Sequence, residues 1–151
     1  MDISRRVLLL AAASTPIVAV GCSNAADDPE APQDPDSAAR TSTAQSELEL
    51  IAAYRTAAAA AEPAAADTYE FLAAQHEEHL AAIFPEDGQP QVPSPSGTVL
   101  NRKSLRQLEK QAARQRTEAA ITAEDTGLVE LLARIAASEA GHAAYLQGGN
   151  R

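Results

Sequence analysis

The residues of this chain with the widest chemical repertoire are His76, His79 and His142, its three histidines, together with Glu47, Glu109 and Glu139. In the stretch LLARIAASEAGHAAYL, Leu131 to Leu146, apolar Leu132, Ile135 and Leu146 recur with Leu128 at the spacing of a helix stripe. Glu139 and His142 fill the two stripe positions between Ile135 and Leu146, so a carboxylate and an imidazole lie on a buried face. His76 falls near the centre of the face formed by Tyr69, Leu72, Leu80 and Ile83, with His79 in the same arc. Glu47 is central among Leu50, Ile51 and Tyr54, and Glu109 flanks Leu105, Leu108 and Ala112. Burying such groups without partners costs on the order of several kcal/mol. Two chemistries answer that cost. Imidazole and carboxylate together ligate one ion of iron, manganese or zinc, or they share protons in a metal-free network that fixes helix register. No nucleophile motif and no phosphate-cradling glycine loop is present, so no catalytic residue and no reaction is assigned.

The elements that must position these residues are helices. A first helix is expected from Ser46, where Ser46-Glu47-Leu48-Glu49 has the form of a capping box, to about Ala61. Glu62-Pro63 breaks it, and a second helix follows from about Ala64 to Phe84. Pro85 to Gly97 reads as a loop, carrying Pro85, Pro90, Pro93 and Pro95 with Gly88 and Gly97. A third helix is expected from about Asn101 to Ala123, a turn at Asp125-Thr126-Gly127, and a fourth helix to about Gln147. No stretch alternates as a strand does. The fold class is therefore all-α, a four-helix bundle of two helical hairpins joined by a Pro-rich connection over residues 46–147, with a flexible tail at 148–151. Glu47 and His76 stand at similar distances from the turn at Glu62-Pro63, and Glu109 and Glu139 from the turn at Glu124-Asp125. Each hairpin thus brings its own polar groups to one height. A simple up-down-up-down path levels the two hairpins, and a crossover does so only if the first helix starts well before Ser46. The basic residues Arg102, Lys103, Arg106, Lys110, Arg114 and Arg116 read as a solvated face of the third helix. Tyr54, Tyr69 and Tyr145 read as aromatics at the rim of the core.

The order Glu47, His76-x-x-His79, Glu109, Glu139-x-x-His142 resembles the ferritin-like carboxylate-bridged di-metal bundles. The segment ARIAASEAGHAAYL is similar to the last helix of ferritin-like exported bacterial proteins of unknown function. The resemblance implies a metal centre built from Glu47, His76, His79, Glu109, Glu139 and His142. His76 departs from it, because the family carries a bridging glutamate there and imidazole cannot bridge in the same way. A paired-metal oxygen chemistry therefore does not follow.

Residues 1–21 read as an export signal. Ser4-Arg5-Arg6-Val7-Leu8-Leu9 resembles a twin-arginine motif, and Ala19-Val20-Gly21-Cys22 resembles a lipoprotein lipobox. Cys22, the single cysteine, is the expected lipidation site and has no internal disulfide partner. Residues 22–45, rich in Asp and Pro, read as a disordered tether. The expected location is the outer face of the bacterial cytoplasmic membrane, with the membrane as partner through Cys22. A formal charge of −9 argues against nucleic acid.

Overall fold

The computed structural model describes residues 36–84, 90–92, 94 and 97–148. The helices are α1 Ser37–Ala59, α2 Pro63–Ile83, α3 Arg102–Thr122 and α4 Thr126–Gly148. Together they form the all-α four-helix bundle expected from the sequence. The export signal, Cys22 and the tether as far as residue 35 lie outside the described residues, as do residues 149–151. Among the described residues, no helix is long and apolar enough to cross a membrane.

Local chemistry sets most of the helix ends. Pro63 occupies the first turn of α2, where its missing N–H costs nothing. The Asn101 side chain accepts from the backbone N–H of Ser104 at 2.9 Å and caps α3. The Asp125 carboxylate accepts from Leu128 N–H at 2.6 Å and caps α4.

The start of α1 is a correction. Ser46 lies within the helix rather than at its cap, and residues 37–45, expected as the end of the tether, are helical. The extra turns persist because they are packed: Thr43 and Ala44 are buried. Asp36, just ahead of α1, accepts from the backbone N–H groups of Glu124 at 2.9 Å and Asp125 at 2.7 Å. Those two bonds hold its carboxyl below the usual aspartate range. Tertiary contact with the α3–α4 turn thus extends a helix that local signals would start later.

α1 pairs with α2 and α3 with α4, and across the bundle α1 faces α3 while α2 faces α4. Arg116 meets Thr43 and Glu47, whereas Tyr54 meets Glu109, so α1 and α3 are antiparallel. Gln75 meets His142, and residues near Asp67 and Phe71 meet Tyr145, so α2 and α4 are antiparallel too. α2 and α3 therefore run in the same direction, and the connection between Phe84 and Asn101 must travel the length of the bundle. Val92 packs on the cluster of Ala44, Ile51 and Leu80, and Leu100 on the cluster of Leu50, Leu72, Leu105 and Leu146. The topology carries one long crossover. It levels the two hairpins because α1 starts early.

Arg102 does not simply face solvent. Its Nε donates to the carbonyl of Leu146 at 2.8 Å and its Nη2 to that of Tyr145 at 3.0 Å, satisfying orphan carbonyls at the end of α4.

Candidate metal centre

One stripe per helix carries the site. On α1 it runs through Thr43, Glu47, Leu50 and Tyr54, and on α2 through Leu72, His76, Leu80 and Ile83. On α3 it runs through Leu105, Glu109, Ala112 and Arg116, and on α4 through Leu132, Ile135, Glu139, His142 and Leu146. These stripes meet in the interior. Glu47, His76, Glu109 and Glu139 are fully buried, His142 is 6% exposed, and His79 is partly exposed.

His76 is the hub. Its Nδ1 lies 2.8 Å from Glu47 Oε2 and its Nε2 lies 3.0 Å from Glu109 Oε1. His142 Nδ1 lies 3.2 Å from that same Glu109 oxygen, and His142 Nε2 lies 2.7 Å from Gln75 Oε1. Ser138 Oγ is 3.3 Å from His142 Nε2. His79 Nδ1 stands 3.5 Å from Glu47 Oε2. The His76 ring lies edge-on to both His79 and His142, with centroids 5.5 and 5.2 Å apart, and stacks on Tyr54 at 5.5 Å. Two groups of potential ligand atoms result: Glu47, His76 and His79, and His76, Glu109 and His142.

Three participants were not expected from the sequence. Tyr54, read as a rim aromatic, is wholly buried and donates its hydroxyl to Glu109 Oε1 at 2.5 Å. Burial and the Glu109 charge push its hydroxyl well above the ordinary tyrosine range. Gln75 had no signal beyond standing next to His76. Arg116, read as part of a solvated basic face, is 2% exposed. Its Nη2 donates to Thr43 O and Glu47 Oε1, both at 3.3 Å, and lies 3.5 Å from Glu139 Oε1. The stripe Leu105, Glu109, Ala112, Arg116 at helical spacing was the signal that would have found it.

Charge inside this cluster is shared unevenly. Burial alone would raise the Glu47 carboxyl, but the neighbouring imidazoles of His76 and His79, with the charges of His76 and Arg116, bring it down to about 2. Burial likewise opposes ionisation of Glu109, and the bonds from His142 and His76, the His76 charge and the Tyr54 hydroxyl bring it down to about 2. Burial would lower His76, yet its bonds to Glu109 and Glu47 lift it to about 9. Glu139 differs, since burial outweighs the pull of Arg116 and pushes its carboxyl up to about 8. Among the described residues, neither Glu139 oxygen has a hydrogen-bond partner, and Glu109 Oε2 has none.

Tyr54→Phe is expected to destabilise the protein by about 1–3 kcal/mol, the range for a hydrogen bond to a buried charged group. Urea unfolding at neutral pH measures this, and an unchanged midpoint would remove Tyr54 from the network.

The structure thus brings Glu47, His76, Glu109 and His142 together, sets His79 at one edge, and joins Glu139 to the others through Arg116. Comparison with family models, with curated proteins and with solved structures gave no match for this chain.

Proposed function

We propose that the bundle binds a single divalent transition-metal ion through His76 Nε2, His142 Nδ1 and Glu109. One observation carries the reading. Both ring nitrogens of both histidines face acceptors, and a neutral imidazole, the form that ligates a metal, has only one N–H to give. If His76 Nδ1 donates to Glu47 and His142 Nε2 donates to Gln75, the other two nitrogens turn lone pairs toward the same carboxylate. One cation between them answers both histidines at once.

The spacing supports the same three ligands. Imidazole and carboxylate ligands about 2.0–2.1 Å from a tetrahedral ion stand about 3.3 Å apart, and here the separations from Glu109 Oε1 are 3.0 and 3.2 Å. The outer partners are in place as well. Glu47 orients His76, Gln75 orients His142, and Tyr54 holds Glu109, in the manner of carboxylate– and carbonyl–histidine–metal arrangements. Glu109 Oε2 is an unpartnered buried oxygen available to an ion. Two imidazoles and one carboxylate suit zinc, iron(II) or manganese.

A paired centre fits this chain poorly. His76 stands where a bridging carboxylate is needed, and the Arg116 guanidinium already sits beside Glu47 and Glu139. In this ferritin-like reading, Arg116 takes up negative charge that a second ion would otherwise claim.

The metal-free network remains the second reading, favoured by the charge balance. The His76 imidazolium and Arg116 offset the Glu47 and Glu109 carboxylates while Glu139 keeps its proton. Metal analysis separates the two. Protein purified without an affinity tag, loaded with zinc, iron(II) or manganese and desalted, is expected to retain one equivalent, and His142→Ala to lose it. Retention below about a tenth of an equivalent of every metal would leave only the network.

The bundle's place at the cell envelope rests on Arg5-Arg6 and Cys22. Palmitate labelling of the wild type, absent in Cys22→Ala, is the expected result.

A further inference from the structure

The seam between α2 and α4 is the thinnest of the four helix contacts. A cavity of about 450 Å³ opens there, lined by Asp67, Phe71, Leu72, Gln75, His142 and Tyr145. Phe71 on α2 and Tyr145 on α4 are 61% and 57% exposed, two large aromatics left in water on facing helices. Tyr145 is nonetheless held in place. Arg102 donates to its carbonyl at 3.0 Å and lays its guanidinium 5.8 Å from the ring centroid. The polar pair Gln75 and His142, bonded at 2.7 Å, and Thr68, whose hydroxyl donates to the Ala64 carbonyl at 3.1 Å, complete the lining.

We propose that this seam is a binding site for a small, neutral, planar aromatic molecule of one or two rings bearing one hydrogen-bonding group. Its ring would lie against Phe71, Leu72 and Tyr145, where aromatic pairing adds to simple burial. Its polar group would meet the Gln75 amide, which has an acceptor lone pair beyond the one facing His142 and two N–H donors. The volume lies within the range of ligand pockets, mostly apolar with a few placed polar groups. Among the described residues lining the cavity there is a carboxylate, Asp67, and no lysine or arginine. Arg102, near the rim, keeps its charge, but its Nε and Nη2 donors go to the carbonyls of Leu146 and Tyr145.

The site stands apart from the metal reading, because the ligand meets the outer, Nε2 side of His142 rather than the Nδ1 side that faces Glu109. The test is a titration of the full chain, stripped of metal by a chelator, with 2-naphthol, read by NMR of the aromatic and histidine rings. Saturable shifts at Phe71, Tyr145 and His142 are expected. Phe71→Ala and Tyr145→Ala, both at exposed positions, should each weaken binding by about tenfold. 2-Naphthoate, the same ring with a carboxylate, should bind at least about tenfold more weakly than 2-naphthol, since its carboxylate would give up water against a mostly apolar lining that holds no lysine or arginine. Absence of saturable shifts overturns the proposal. So does naphthol binding unchanged in both variants, or naphthoate binding as tightly as naphthol. A protein that holds no metal but shows these shifts leaves this proposal standing and removes the metal reading alone.

Discussion

The metal-free protein is expected to be most stable near pH 5 and to lose several kcal/mol by pH 9. Each buried group contributes with its own sign. Glu47 and Glu109 are held at about 2 against an ordinary 4.5, so their stabilisation is complete above pH 4.5 and lost as pH falls toward 2. His76 is raised from 6.5 to about 9, so its contribution is complete below pH 6.5 and lost as pH rises through 9. Glu139 keeps its proton in the fold to about pH 8 while the unfolded chain ionises it above 4.5. It therefore weakens the fold progressively between those values. Urea unfolding in the presence of a chelator at pH 5, 7 and 9 measures the profile. Glu139→Gln, which cannot ionise, should recover roughly 3–5 kcal/mol of the alkaline loss. A flat profile from pH 5 to pH 9 would mean that these groups are hydrated rather than buried together.

Arg116→Met is expected to cost the metal-free protein about 3–5 kcal/mol at neutral pH, the range for breaking a buried ion pair by removing one partner. Methionine fills part of the space but leaves Glu47 with His76 as its main counter-charge and removes the guanidinium that pairs with Glu139. Under the single-ion reading, the same variant should gain affinity for divalent metal and approach two equivalents. Added metal should then restore part of the lost stability. Chemical unfolding with and without zinc, together with metal analysis, reads both effects. A variant that unfolds more easily and takes up no more metal than the wild type would make Arg116 a structural ion-pair partner alone.

The parts of this fold legible in the sequence were those written in local periodicity. The helices and the inner positions of Glu47, His76, Glu139 and His142 follow from a repeat that puts one face inward, whereas Glu109 stood only at the edge of its stripe and is fully buried. What escaped was set by contacts distant in the chain. The start of α1 depends on Asp36 meeting the α3–α4 turn, and no capping rule applied to residues 36–46 contains that information. The crossover follows from how the two hairpins dock, whereas the Pro-rich composition of the connection is compatible with either direction. Arg116 was misread because arginine is usually exposed, although its place on the Leu105 and Glu109 stripe argued otherwise. Gln75 enters the site through His142 on another helix, and that pairing has no trace in spacing.

The crossover has a consequence for how the centre comes into being. Glu47, His76 and His79 belong to the first hairpin, and Glu109, Glu139 and His142 to the second. The two hairpins are joined only by a long strap, so neither can assemble the centre alone. Each half carries its polar groups on the face it must hide, and each is poorly matched until the other arrives. The centre therefore closes only where the two hairpins meet, and a cation held by His76 on one side and Glu109 and His142 on the other would latch it.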